Sequence, residues 1–118
     1  MTDYLTAMAA EIRDQVDPSL RPDAGDDLPL FRTYAVLAFA KGLAVTHDDV
    51  HNAWVGWMAA LEPQHPALLP FEALGDDERR QDEPFLEAIY LVSKEHGLPR
   101  LEAPAQSETA NDGAGQRE

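Results

Sequence analysis

The chain has no cysteine. That absence excludes a disulfide framework, a cysteine-ligated zinc site and a thiol nucleophile together. Basic residues are also few: nine Lys and Arg stand against 22 Asp and Glu, a formal net charge of −13. A field of that sign on a small surface repels phosphate backbones and anionic bilayers. Neither duplex nucleic acid nor a membrane is therefore expected as a direct partner. No apolar run approaches the roughly 18–20 residues that a spanning helix needs. The first residues, Met1-Thr2-Asp3-Tyr4, are acidic where a secretory leader carries Lys or Arg. A soluble, cytoplasmic protein is the simplest expectation.

What is present suits one domain. A chain of 118 residues can bury one core without covalent staples. Alanine is abundant and Arg outnumbers Lys seven to two, which points to a GC-rich bacterium or its phage. The excess acid can serve solubility, attract a basic partner or imitate a nucleic acid.

Apolar periodicity predicts a mainly α fold, a small helical bundle with an irregular Pro-rich loop. Over residues 3–16, Leu5, Met8, Ile12 and Val16 form one helical stripe. Asp17-Pro18 stops it, since proline disfavours helical geometry in the residue before it. The chain is then polar and broken as far as Leu28. Pro29 opens a second helix in the first turn, where a missing N–H costs nothing. Phe31, Tyr34, Leu37 and Ala38 make that helix apolar nearly all round, as in a buried helix. Gly42 suits a left-handed cap.

Thr46 and Asp49 stand three apart, as in a capping box, and Asp48 and Asp49 suit the positive end of a helix dipole. Val50, Trp54, Trp57, Met58 and Leu61 follow as the apolar face of a third helix, and Pro63 ends it. The run Ala67-Leu68-Leu69-Pro70-Phe71 is apolar for a loop and is expected to pack on the core. A short helical turn is predicted at 76–81. Asp82 is placed to cap a final helix, with Phe85, Ile89 and Val92 facing inward and Gly97-Leu98-Pro99 ending it. The domain is expected to span residues 1–102. The polar tail 103–118 lacks the large apolar residues that ordering would need.

From the third helix onward the residues resemble one ryanodine-receptor (RyR) repeat. The elements are His51 and Trp54 on a helix, then the string His65-Pro66-Ala67-Leu68-Leu69-Pro70-Phe71-Glu72-Ala73-Leu74. Glu78 and Asp82 follow, and Phe85 to Ile89 begin the last helix. The core of the resemblance is residues 46–96. The Gly-Trp-x-Tyr-Gly stretch usual in that family has no counterpart, and Ala59-Ala60-Leu61-Glu62 fills its place. The resemblance implies a noncatalytic binding or sensing module for a nucleotide-like small molecule or a protein partner. It implies ligand-binding positions at Trp54, Trp57, His65, Phe71, Glu72 and Asp82. It also leaves room for a homodimer that restores the paired arrangement of the receptors.

Other chemistry is weaker in the residues themselves. His47 and His51 stand at i and i+4, a spacing that can share a metal, and an acid follows the first. Asp48 is one methylene shorter than the Glu of the metalloprotease signature, and no third ligand stands at a known spacing. The capping reading accounts for the same five residues as ordinary helix-start polars, so no metal is expected. There is no phosphate-cradling glycine loop and no recognisable nucleophile motif. No cofactor and no catalytic residue is expected. His65 and Asp82 are read first as hydrogen-bonding partners of loop backbone, because buried polar groups must be satisfied. Beside the binding module stand two other classes. One is an acidic interaction protein, such as an inhibitor or nucleic-acid mimic, acting through its negative surface; the other is a metal hydrolase centred on His47 and His51.

Overall fold

The structure is a computed structural model, described here for residues 2–22 and 26–99. Among the described residues there are five α-helices: α1 (Tyr4–Gln15), α2 (Leu28–Lys41), α3 (His47–Leu61), the short α4 (Asp76–Arg80) and α5 (Glu83–His96). Single 3₁₀ turns lie at Pro18–Leu20, Gly42–Ala44 and Phe71–Ala73, and the described residues form no strand. The mainly helical class is as the periodicity predicts. The tail 103–118 and residues 23–25 of the first loop lie outside the described residues.

Each long helix starts where its local chemistry allows. The Asp3 carboxylate accepts from Thr6 N at 2.8 Å and caps α1. Arg32 of α2 then donates to the Thr6 hydroxyl at 2.6 Å, fastening the start of α1 to its neighbour. Met8, Ile12 and Val16 of the stripe are buried, with Ala9 beside them, while Leu5 at its start is only partly buried against the core. Helix α2 runs through the middle, touching α1, α3 and α5. Its Phe31 and Tyr34 meet edge to face, with ring centroids 5.5 Å apart, and Phe85 of α5 completes the cluster. Such pairs add to the gain from burying the rings alone.

The α2–α3 corner is tight. Gly42 has φ +53°, and a Cβ there would overlap the Leu98 backbone packed against it. Glycine is needed for both reasons. The Thr46–Asp49 capping box forms in full, and Lys41 holds the Asp49 carboxylate at 2.8 Å. The Tyr90 hydroxyl of α5 donates to the Val45 carbonyl at the same corner. Gly97 takes the left-handed conformation, Leu98 N returns to Ser93 O at 2.8 Å, and Leu98 is buried.

Four expectations change. Leu61 does not join the apolar face; it is exposed, because α3 ends there and the chain turns away at Pro63. Within the Pro-rich loop Leu69 faces out, and the core takes Leu74 from beyond the 3₁₀ turn instead. His51 is no helix-start polar at the surface but is buried at 2% exposure. Asp82 occupies the cap position of α5 with helical backbone angles, and its side chain makes no cap hydrogen bond. Its carboxylate turns to His51.

Candidate functional site

The last two corrections belong to one arrangement. On α3, His51 and Trp54 stand three residues apart and share a face, their rings stacked 5.6 Å apart at 23°. His51 Nε2 lies 2.6 Å from the Leu69 carbonyl. A carbonyl can only accept, so Nε2 carries a proton and donates it. The other nitrogen, Nδ1, is 3.3 Å from Asp82 Oδ2 at the start of α5.

With Nε2 committed as a donor, one proton must lie between Nδ1 and the carboxyl. It sits either on the ring, giving an ion pair, or on Asp82, which then donates to the ring. Without that proton a lone pair faces an anion in a dry site. The separation is within ion-pair range, but the groups are poorly aligned, and Oδ2 is enclosed without a well-directed hydrogen bond. Burial pushes the Asp82 carboxyl above the ordinary aspartate range, against the opposing pull of His51 and then His47.

This pair borders a cleft of about 460 Å³ lined by His51, Trp54, Leu74, Asp82 and Phe85, among others. The 3₁₀ turn after α1 contributes Ser19 and Leu20, and α4 contributes Asp77, Glu78 and Arg80. That volume falls within the range of small-molecule sites, and the mix of apolar wall with a few convergent polar groups is typical of them. Arg80 is paired with Asp77 on the same helix. The cleft therefore presents carboxylates whose nearest cation is already engaged.

The positions singled out from the sequence separate into two groups. Trp54 and Asp82 line the cleft. Trp57 does not; its indole N–H donates to the Asp26 carbonyl at 3.1 Å and pins the entry to α2. His65 meets Trp54 edge-on at 5.1 Å, and its Nδ1 accepts from Ala67 N at 3.0 Å. It props the wall from behind and holds its own loop. Phe71 stacks on His47 at 5.6 Å, and the Arg79 guanidinium lies 5.4 Å from its ring. The Glu72 side chain is exposed; its carbonyl and that of Phe71 accept from Arg79. His47 pairs with Glu83 at 2.8 Å, away from His51, and no cluster of three metal-ligating side chains occurs among the described residues.

Missing from the sequence-derived set were His51, Leu20, Leu74 and Phe85. For His51 a signal existed: it falls three before Trp54 and seven before Met58, on the inward face of α3. Leu20 had none, since nothing local says that the turn after α1 reaches α4.

Across this whole arrangement, residues 3–94 match the family model of a domain of unknown function, DUF7701. The chain belongs to the DUF7701 family. The match overturns the RyR resemblance, because it takes α1 through α5 as one unit, and no RyR family model matches. The RyR-like string was a loop punctuated by prolines, with a histidine turn at one end. Loop chemistry of that kind arises wherever a helix must stop and the chain double back. In the DUF7701 domain α1 and α2, outside the resemblance core, supply half the hydrophobic core. The nucleotide-like ligand and the paired homodimer lose their basis with the resemblance. No curated protein and no solved structure matches the chain. No described helix is long and apolar enough to cross a membrane.

Proposed function

We propose that this DUF7701 domain is a noncatalytic binding or sensing module that takes a small organic ligand into the cleft between α3, α4 and the start of α5. The observation that carries the reading is the juxtaposition of Trp54 with a buried His51–Asp82 pair at one cleft wall. An aromatic wall gives a flat ligand apolar contact, and a few placed polar groups fix its orientation. The noncatalytic part of the reading rests on how His51 is used. One ring nitrogen is spent on Leu69 O and the other faces Asp82, so the imidazole has no free nitrogen to take a substrate proton.

The test is a fragment screen read by amide chemical shifts. Binders should perturb residues 51, 54, 74, 82 and 85 together. Perturbations confined to the separate groove lined by Tyr4, Phe39 and Leu98 would sink the reading.

The net charge of −13 favours a second reading, an acidic protein that captures a basic partner. Long-range attraction weakens as salt shortens the Debye length, whereas a ligand seated in an apolar cleft loses less. Affinity for a purified binder that collapses between low and high salt would move the weight to that reading.

A further inference from the structure

Resting on the reading of the cleft as a binding site, we infer that its ligand is an organic cation, an N–H-bearing ammonium or amidinium attached to a flat apolar ring. The cation sits on Asp82 and the ring lies along Trp54. Three independent observations converge on this chemistry.

The Asp82 side chain is nine-tenths buried yet borders the cleft; its Oδ2 is enclosed against His51 Nδ1 at 3.3 Å, and among the described residues its carboxylate receives no well-directed hydrogen bond. A buried carboxylate with unfilled accepting capacity is costly, and an incoming N–H donor fills it. The cleft also carries Asp77 and Glu78 at α4, while its cation Arg80 is engaged by Asp77. The local field thus has the same sign as the whole molecule, and it raises the concentration of cations and excludes anions. Finally, Trp54 stands within the same cleft as that carboxylate, and indole is the best aromatic host for a cation or a flat ring.

A phosphate-bearing or carboxylate ligand meets like charge from Asp77, Glu78 and Asp82, and Arg80 is already engaged by Asp77. A purely apolar ligand leaves Asp82 as it is. Only a donor cation answers all three features.

The test uses three compounds of nearly one shape: 2-phenylethylamine, 2-phenylethanol and phenylacetate, titrated into the full chain with amide shifts as readout. The amine should perturb residues 51, 54 and 82 and bind about tenfold more tightly than the alcohol, the usual advantage of a charged hydrogen bond. Phenylacetate should bind least. Asp82→Asn should bring the amine down to the level of the alcohol. Because that change touches a buried pair, a second variant, Asp77→Asn with Glu78→Gln on exposed α4, should weaken the amine about two- to threefold and the alcohol less, narrowing the gap between them. If the alcohol binds the same amides as tightly as the amine, the cleft survives as a binding site and the cation inference is overturned. If none of the three perturbs the cleft amides, the binding-site reading falls with it.

Discussion

Between α1, α2 and α5 the packing is almost wholly apolar, whereas the side built by α3, the 62–75 loop and α4 hangs on single polar contacts. On the first side Ile12, Leu30, Phe31, Tyr34, Ile89 and Val92 are fully enclosed. On the second, one imidazole holds the loop at Leu69, one indole holds Asp26, and one guanidinium holds the carbonyls of Phe71 and Glu72. Apolar burial is spread over many small contacts and fails only as a unit. A fastening made of one side chain fails alone. The cleft lies beside the second kind of construction, where local opening costs less than global unfolding.

The largest test of this contrast is Phe31→Ala. Truncating a fully enclosed ring in the aromatic cluster should cost about 3–5 kcal/mol. The loss should appear as a lower urea midpoint with all probes shifting together. His51→Ala should cost somewhat less, about 2–3 kcal/mol, by leaving the Leu69 carbonyl and the Asp82 carboxyl without their partner. Its signature differs in kind: amide exchange should accelerate at residues 65–74 before it changes in α1. Uniform acceleration across α1 and α5 would mean that the two sides are not separable.

A smaller effect is pH, and here the two regions should move in opposite directions. Burial alone would raise the Asp49 carboxyl at the α2–α3 corner, but Lys41 and Thr46 outweigh it and hold it below the ordinary value of 3.8. The folded state thus binds that proton less tightly. The resulting stability is present above 3.8 and is lost as pH falls through the lowered value. Asp82 is held above 3.8, facing His51 and His47 of α3 and lying near Tyr34 of α2. Its contribution is full below 3.8 and fades as pH rises through the raised value. Urea melts from about pH 3 to about pH 7 should therefore lose part of their acid-side decline in Asp49→Asn, the rest staying with Asp3 and Asp17, which are also held below 3.8. In Asp82→Asn they should lose part of the decline toward neutrality. Identical pH profiles for wild type and both variants would refute the assignment.

The smallest effect runs the other way. Ser93 is fully buried on the apolar side, and its hydroxyl has no partner. Ser93→Ala should stabilise by about 1 kcal/mol, since it removes an unsatisfied polar group and adds a better helix former. A fall in melting temperature would show that the hydroxyl is satisfied in solution.

The same contrast governs what could be read from the residues alone. The α1 stripe, the Thr46–Asp49 box, the stop at Pro63 and the cap at Gly97 are written within a few positions of one another. Each emerged where periodicity and capping chemistry put it. The site is written across long separations: His51 reaches 18 residues to Leu69 and Trp57 reaches 31 to Asp26. No local pattern announces such a partner. Asp82 shows the limit most clearly. Its position before Pro84 fits an N-cap, yet the buried imidazole opposite claims the carboxylate, a competitor invisible until α3 and α5 are packed. The tail 103–118 and the oligomeric state drew on composition and family resemblance, and neither source specifies a contact.

His51 also has a mechanical consequence. Its ring is a rigid strut with one nitrogen on each of two segments that share no other tether through it: the 62–75 loop and the head of α5. One end holds the carbonyl of Leu69, whose side chain faces outward at 46% exposure. Loop and helix head thus meet at one aromatic ring that also forms part of the cleft wall.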